Sequence, residues 1–400
     1  MRWRSLARVK PSESTSAARG ELPGEIVKLG WLSLCLDVAS EMSYPLVPLF
    51  LASVLNAPGI ALGMIEGSAE ALLAVMTAVA ARHSDRIRRR VPFIRWGYGI
   101  AAVSKPLMAL VGSWPTALGL RMLDRAGKGL RSAARDALIA DLAGPARRGA
   151  AFGFHRTMDT AGALLGVLLA LAILQVLPGH YRTVFALTAI PGAIAVALAL
   201  RIRDVPRVPD ARGARALPLA ALPASLWRVN AVLWVFALGN SSDAFLLLRA
   251  RDVASDAKVV WAYALMNLAY ALTAFPAGRW SDRIGRQRLM VAGWSLYALL
   301  YLAFAWLEQL SIWPLFALYG VHLGLTQGVA RAWISDHAPA ELRATALGLY
   351  QLGLGATLLA ASALAGWLWD AFDHRAPFLL GALCAVAALA LLPSCSTRRA

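Results

Sequence analysis

The sequence predicts an all-α integral membrane protein whose twelve transmembrane helices form two six-helix halves related by a pseudo-two-fold axis. Three observations predict it: apolar runs of membrane length along the whole chain, basic residues at alternate connections between them, and paired motifs that recur half a chain later. Of 400 residues, 58% are hydrophobic and 16% charged, with mean hydropathy +0.57. That balance lies outside the range of ordinary soluble domains. A spanning helix needs about 20 mostly apolar residues. Twelve stretches qualify: 27–53, 58–81, 93–113, 115–141, 148–176, 182–202, 226–249, 258–278, 288–308, 312–336, 343–368 and 376–394. The second, fourth, fifth and tenth carry internal charges and are the weakest by hydropathy.

Residues 1–25 are rich in Arg, Ser and Pro and have no apolar core, so they read as a disordered basic tail rather than a signal peptide or a span. The halves run from 26–203 and 226–395, joined by a polar linker over 204–225. Cys35, Cys384 and Cys395 show neither disulfide nor metal-thiolate spacing and read as packing residues. The net charge of +17 does not point to nucleic acid, because it is not spread over one face. Arg82, Arg86, Arg88, Arg89 and Arg90 crowd one connection, Arg279, Arg283, Arg286 and Arg288 another, while Ser113–Pro115 and Gln309–Ser311 are bare. This positive-inside pattern places both termini and the linker in the cytoplasm of a multi-pass inner-membrane protein. The connection after the seventh span, with Arg249, Arg251 and Lys258, departs from it.

The repeat is read from two motif pairs. ARHSDRIRRR and GRWSDRIGRQR place Asp85 opposite Asp282, 197 residues apart; IADLAGPARRGAAFG and ISDHAPAELRATALG place Asp141 opposite Asp336, 195 residues apart, and Arg148 opposite Arg343. The segment Gly278-Arg279-Trp280-Ser281-Asp282-Arg283-Ile284-Gly285-Arg286 resembles the loop signature of the major facilitator superfamily. The first copy has Ala81 and Arg88 where the signature has glycine. The resemblance covers essentially Lys28 to Leu392. It implies a rocker-switch transporter whose loop aspartates, Asp85 and Asp282, dock near a helix end and a basic residue, a placement the helix macrodipole favours. Arg86, Asp141, Gly278, Arg283, Gly285, Arg286, Asp336 and Arg343 belong to the same gating motifs. Arg121 resembles the buried fourth-helix arginine of proton-coupled exporters, and GALLGVLLA (162–170) resembles their fifth-helix signature, with Val167 in place of proline. The string DRAGKGLRSAARDALIAD, followed by FGFHRTMDTAG, is similar to a functionally ill-defined branch of bacterial facilitators.

The charges that carry chemistry lie in the first, fourth and fifth spans. On a helix, Asp124, Lys128, Arg131 and Arg135 fall within about 60° of one another over roughly 16 Å. Such a stripe cannot face lipid. By rise per residue, Asp37, Arg131 and Asp159 share a depth of roughly 13–16 Å, and Glu41 and Lys128 one of roughly 20 Å. An ionic network of Glu70, Arg121, Arg125, Lys128, Arg131, His155 and Arg156 is therefore expected around Asp37, Glu41 and Asp159, the three candidate proton carriers. Some of its cations could instead meet an anionic group of a substrate. Arg135 and Asp136, nearest the cytoplasm, read as a gating pair, and Lys105 as the partner of an acid on the second helix. Asp243, Asn267, Tyr350 and Gln351 are the candidate substrate wall of the C-terminal half.

These readings describe a proton-coupled efflux carrier for a small amphipathic or charged compound, working as a monomer without cofactor or bound metal. Metal-cation efflux, with Asp37, Glu41, His155 and Asp159 as ligands, and a non-transporting receptor of the same fold remain as alternatives. No phosphate-binding loop, nucleophile elbow or metal-hydrolase spacing is present.

Overall fold

The computed structural model describes residues 22–87, 89–204, 222–309, 311–338 and 343–395. Most of the expected basic tail and of the linker, and the side chains of Asp85 and Arg343, lie outside the described residues. The described chain is helical throughout: α1 Gly24–Ser43, α2 Leu46–Ser53, α3 Gly59–Ile87, α4 Val91–Leu107, α5 Trp114–Val176, α6 Tyr181–Leu187 and α7 Ala189–Leu200 form one half. The other half is α8 Ala224–Gly239, α9 Ala244–Arg251, α10 Asp256–Ile284, α11 Arg286–Ala305, α12 Ile312–His337, α13 Arg343–Ala371 and α14 Ala376–Leu391.

Nine spans among the described residues are long and apolar enough to cross a membrane. The remaining passes are α4, the first part of α5, and α12, which together carry Lys105, the Arg121–Arg135 stripe, Gln327 and Arg331. α4 is short, at 17 residues, and the other two are polar along the part that faces the protein interior instead of lipid. α5 contains two passes. A straight helix of its 63 residues would run roughly 95 Å. Yet Arg135 donates to Ser33 Oγ at 3.2 Å, and Gly162 lies against the backbone of Leu34. Both parts thus pack on one stretch of α1, so the chain reverses direction between Arg135 and Gly162. Even-numbered crossing puts both termini on one face, here called the terminal face; the other is the distal face.

The first and seventh passes are each broken mid-way. α1 gives way to α2 at Tyr44-Pro45, where proline removes an amide donor. α8 gives way to α9 across Asn240-Ser241-Ser242-Asp243. The breaks occupy corresponding places in the two halves.

The halves meet most closely along α3 and α13. A Cβ on Gly63 would sit 2.0 Å from the carbonyl oxygen of Ser362, so only glycine allows this approach. At the distal end the Asp370 carboxylate accepts from the Gly59 and Ile60 amides, each at 2.7 Å. A residue of one half thereby caps a helix of the other. The Tyr181 hydroxyl donates to Asp256 nearby, again across the halves. Phe50 and Phe185 of the first half share a continuous apolar core with Leu246 and Tyr297 of the second. Near the terminal face, Ile26, Tyr98, Leu138 and Ala199 form a separate core within the first half alone. The molecule is closed at its distal end.

The basic cluster that breaks the positive-inside pattern is neutralised locally. Arg249 is fully buried and donates to Phe304 O at 3.1 Å, Ala305 O at 3.3 Å, Asp252 at 2.8 Å and Glu308 at 2.5 Å. It thereby caps the exposed carbonyls at the end of α11. Arg251 pairs with Asp256 at 3.6 Å.

The distal contacts can be tested singly. Asp370→Ala removes a cap of about 1 kcal/mol. Spin-label distances across the distal ends of α3 and α13 are expected to lengthen and broaden in the variant; an unchanged distribution would show that the cap does not hold the gate. Glu308 is held down to about 2 by the hydrogen bond from Arg249. A depressed carboxyl contributes stability above its unfolded value near 4.3, lost as pH falls through the folded value. Glu308→Gln is therefore expected to lower the melting midpoint at pH 7 and to flatten its fall between about pH 4.5 and 2.

Candidate functional site

Between the two helix breaks lies a cavity of about 510 Å³. Asp37, Ser40, Glu41, Ser43, Tyr44, Glu66, Glu70, Lys105, Arg121, Asp124, Arg125, Lys128 and Arg131 line it from the first half. Asn240, Ser241, Ser242, Asp243, Tyr263, Leu323, Gln327, Arg331, Leu358 and Ser362 line it from the second.

The charged stripe is held in place by carboxylates from neighbouring passes. Arg121 donates to Glu66 through Nη2 at 2.7 Å and Nε at 3.2 Å, and Glu66 is only 2% exposed. Lys105 forms a short ion pair with Asp124 and also donates to Ala101 O at 3.2 Å. Arg125 lies 3.3 Å from Glu70. The ring of Tyr44, at the first break, sits 5.6 Å from the Arg121 guanidinium and 5.9 Å from that of Arg125. A buried charge without such partners would cost several kcal/mol, so the pairs account for the presence of so many ions within membrane depth. Lys105 was expected to pair with an acid on the second helix. Its partner is Asp124 on the fourth pass, because that pass packs alongside α4.

Asp37 and Glu41 both face the cavity. Glu41 accepts from the Tyr263 hydroxyl of the opposite half at 2.9 Å. Asp243, at the second break, accepts from Tyr319 at 2.7 Å.

Other expected members lie elsewhere. His155 is buried and pairs with Asp159 at 3.3 Å, and Arg156 is exposed; none of the three lines the cavity. Asp159 is near enough to Asp37 for their charges to interact, while its own ion pair is with His155. Asn267, Tyr350 and Gln351 are also absent from the wall. Asn267 donates to Tyr263 O at 3.0 Å, within its own helix, and Tyr350 is buried. The second half presents its polar break instead. The run Asn240-Ser241-Ser242-Asp243, unusual inside an apolar span, was the available signal.

The gating motifs resolve into two matching clusters. In the second half, Arg286 reaches Asp282 at 2.6 Å, Asp336 at 3.0 Å, and the hydroxyl of Ser281. In the first, Arg90 reaches Ser84 at 2.9 Å and Asp141 at 3.7 Å. Asp282 thus docks on a basic residue of its own half, Arg286, the first residue of α11. The carboxylates at helix starts are Asp204, which accepts from the Arg90 and Val91 amides at 3.0 and 3.2 Å, and Asp370. Gly285 has φ +94°, which glycine adopts without strain, whereas Gly278 is helical with open space beside it. Arg86 and Arg283 are exposed. Arg135 and Asp136, the expected gating pair, bond each other at 3.0 Å inside one half.

Among the described residues no group of three or more His, Cys, Asp or Glu is placed to hold a metal ion. The ligands a cation-efflux site would use are divided, Asp37 and Glu41 in the cavity and His155 and Asp159 outside it.

Two repeated halves around a polar central cavity, with corresponding helices broken at its wall, define a membrane transport protein. The chain belongs to the Major Facilitator Superfamily, whose profile matches residues 29–249 and again 245–398. It is 32% identical over 374 residues to the uncharacterized MFS-type transporter MJ1317 of Methanocaldococcus jannaschii, covering 92% of this chain and 93% of that protein. It is 30% identical over 356 residues to the uncharacterized protein Rv2265 of Mycobacterium tuberculosis, covering 86% of each. Among solved structures, the fold is similar to that of the nucleoside transporter NupG, with a TM-score of 0.73 at 13% identity over 93% of this chain and 99% of that one. A D-xylose–proton symporter matches with a TM-score of 0.68 at 18% identity over 92% and 95% of the two chains. At these identities the structural neighbours establish the fold alone. Family membership makes the protein a secondary transporter.

The Glu66–Arg121 pair is expected to behave as a unit. Arg121→Gln alone leaves the buried Glu66 uncompensated, at a cost of about 3–5 kcal/mol, and Glu66→Gln alone costs less because Arg121 keeps Asp124 at 3.8 Å. The double substitution is expected to recover most of that loss, read as the thermal midpoint in detergent across a double-mutant cycle. Additive losses would mean that the two charges do not compensate each other.

Proposed function

We propose that the protein is a proton-coupled transporter that works by alternating access and exports a small amphipathic or charged compound through the central cavity in exchange for protons. The observation that carries this reading is the hydrogen bond from Tyr263 to Glu41, which spans the halves at the cavity wall. When the halves rock apart at the distal end, Glu41 exchanges this donor for water or for other neighbours. A carboxylate that alternates between two such environments alternates in proton affinity. Asp37, one helical turn nearer the terminal face and beside the same cavity, is the second carrier. Asp159, paired with His155 and a charge neighbour of Asp37, is the third candidate carrier.

In this reading the terminal face is cytoplasmic, in keeping with the basic residues gathered there. The protein sits as a monomer in a bacterial inner membrane, and the distal-closed structure is its inward-facing state. The Arg90–Asp141 and Arg286–Asp336 clusters brace that face within each half, while Asp370 holds the opposite gate. The proton-linked transport named for the D-xylose symporter, which shares the fold, supports the coupling ion.

The test is reconstitution into liposomes carrying an internal pH dye, with pooled antibiotics, siderophores, amphipathic cations and organic anions as substrates. Substrate-dependent proton flux is expected from the native protein, and Asp37→Asn or Glu41→Gln is expected to reduce it by at least about tenfold. Substrate movement that carries no protons and survives both substitutions would overturn the coupling.

A further inference from the structure

Six cationic and six anionic side chains line the cavity. The three ion pairs already described remove Lys105, Arg121 and Arg125 together with Asp124, Glu66 and Glu70. Lys128, Arg131 and Arg331 are left, facing Asp37, Glu41 and Asp243. Among the described residues, no carboxylate lies within 4.0 Å of any of these three cations. Of the carboxylates, Glu41 and Asp243 are each engaged by a tyrosine hydroxyl. A tyrosine hydrogen bond leaves the carboxylate charge in place, so the three cations are matched in number by three acids but, among the described residues, none of them is ion-paired with one.

The cations are also placed as a binding site. Arg131 is 3% exposed, its ring-facing side lies 4.4 Å from the Tyr98 centroid, and its Nε has no hydrogen-bond partner among the described residues. Lys128 lies one turn away on the same helix face and is exposed to the cavity. Arg331 enters from the opposite half and is also exposed. An unpaired buried guanidinium is costly, and an anion supplied from solution would satisfy it with charge-assisted hydrogen bonds.

We propose that the cavity takes an organic anion, its acidic group held by Lys128 and Arg131 and a second acidic or polar end reaching Arg331 of the other half. Tyr44 and Tyr263 flank the site and suit an apolar or aromatic body. The volume of about 510 Å³ falls in the range of small-molecule sites. An anion bound by both halves would bias them toward closure around it. Outward movement of an anion is also favoured by an inside-negative membrane potential, by about 2.3 kcal/mol per charge per 100 mV. The inference rests on the cavity being the transport site, but not on protons being the coupled ion.

Binding to the purified full-length protein in detergent tests it directly, with benzoate, terephthalate, benzamide and benzamidinium as probes. Saturable thermal stabilisation is expected with the two carboxylates and not with the neutral or cationic analogue. Lys128→Gln is expected to weaken both carboxylates by at least about tenfold, and Lys128→Arg to restore them. Arg331→Gln is expected to weaken terephthalate more than benzoate. Ligand-free midpoints close to the native value establish that the variants are folded, and Arg331→Gln gives an independent reading should Lys128→Gln fail that check. Preference for benzamidinium, carboxylate binding indifferent to both substitutions, or no saturable binding of either carboxylate overturns the proposal. Because the measurement needs neither a membrane nor a proton gradient, its failure is separate from failure of the flux assay.

Discussion

Charge compensation inside a low-dielectric slab is the constraint on which this structure depends. The fourth pass carries Arg121, Arg125, Lys128 and Arg131 at depths where an isolated ion would be costly to keep. Neighbouring passes answer it: Glu66 and Glu70 from α3, and Lys105 from α4 by way of Asp124. Each partner comes from a specific rotation and depth of its own helix. Pairing therefore sets how α3, α4 and α5 are turned about their axes, a variable that apolar packing against lipid-like surfaces specifies poorly. Buried ion pairs contribute little net stability compared with well-packed apolar groups. Their effect here is on arrangement, and on leaving a polar chamber at the middle of the membrane.

The same chamber makes broken helices tolerable. Backbone groups freed from a helix cannot be left in hydrocarbon, but they can line a wet cavity or find local partners. Both occur at the seventh pass. The Ser242 amide donates to Ser362 Oγ at 3.3 Å, and the Ala244 amide to Ser242 Oγ at 3.2 Å. At the first pass Pro45 has no amide to satisfy, and Ser43 Oγ donates to Ser40 O at 3.0 Å. Broken segments are natural places for bending. Having one in each half, at the wall of the cavity, connects the contents of the site with the angle between the distal parts.

Features that depend on composition or on periodicity along one helix were legible from the sequence. The twelve passes, the two repeated halves, the stripe on the fourth pass, and Asp37 and Glu41 as cavity residues all belong to this kind. Arrangements that depend on how one helix is turned against another were not legible. Asp159 is a charge neighbour of Asp37 yet, with His155, is absent from the cavity lining, and Tyr350 and Gln351 correspond across the repeat to residues that do not line the cavity either. Of the motif residues, Asp282, Arg286 and Asp336 come together in one cluster with Ser281, and the matching feature of the first half is Arg90, which gathers Ser84 and Asp141. Such a triad joins residues about 50 positions apart, and a single sequence holds no direct record of that proximity.

The aromatic residues of the second half serve mainly as core packing. Tyr297 and Tyr301 stack at 3.9 Å, and Phe236 stacks on Trp294 at 4.8 Å, all within a dry core. From that core, Tyr297 donates to Gly239 O at 3.0 Å and Tyr319 to Asp243 at 2.7 Å, the two ends of the break in the seventh pass. His322 donates to Gly293 O at 2.8 Å in the same layer. These rings stand behind the wall, with only Tyr263 reaching the cavity. They serve as a rigid backing that holds an unwound segment in one shape. The first half has no equivalent aromatic layer behind Tyr44 among the described residues; its break leans on Arg121 and Arg125, whose charges are in turn held by Glu66 and Glu70. Both breaks thus carry charge at the cavity wall, the first beside Arg121 and Arg125 and the second at Asp243, so both respond to a charge entering the cavity. A bound ion that meets Lys128 and Arg131 on one side and Arg331 on the other therefore acts on both halves at once.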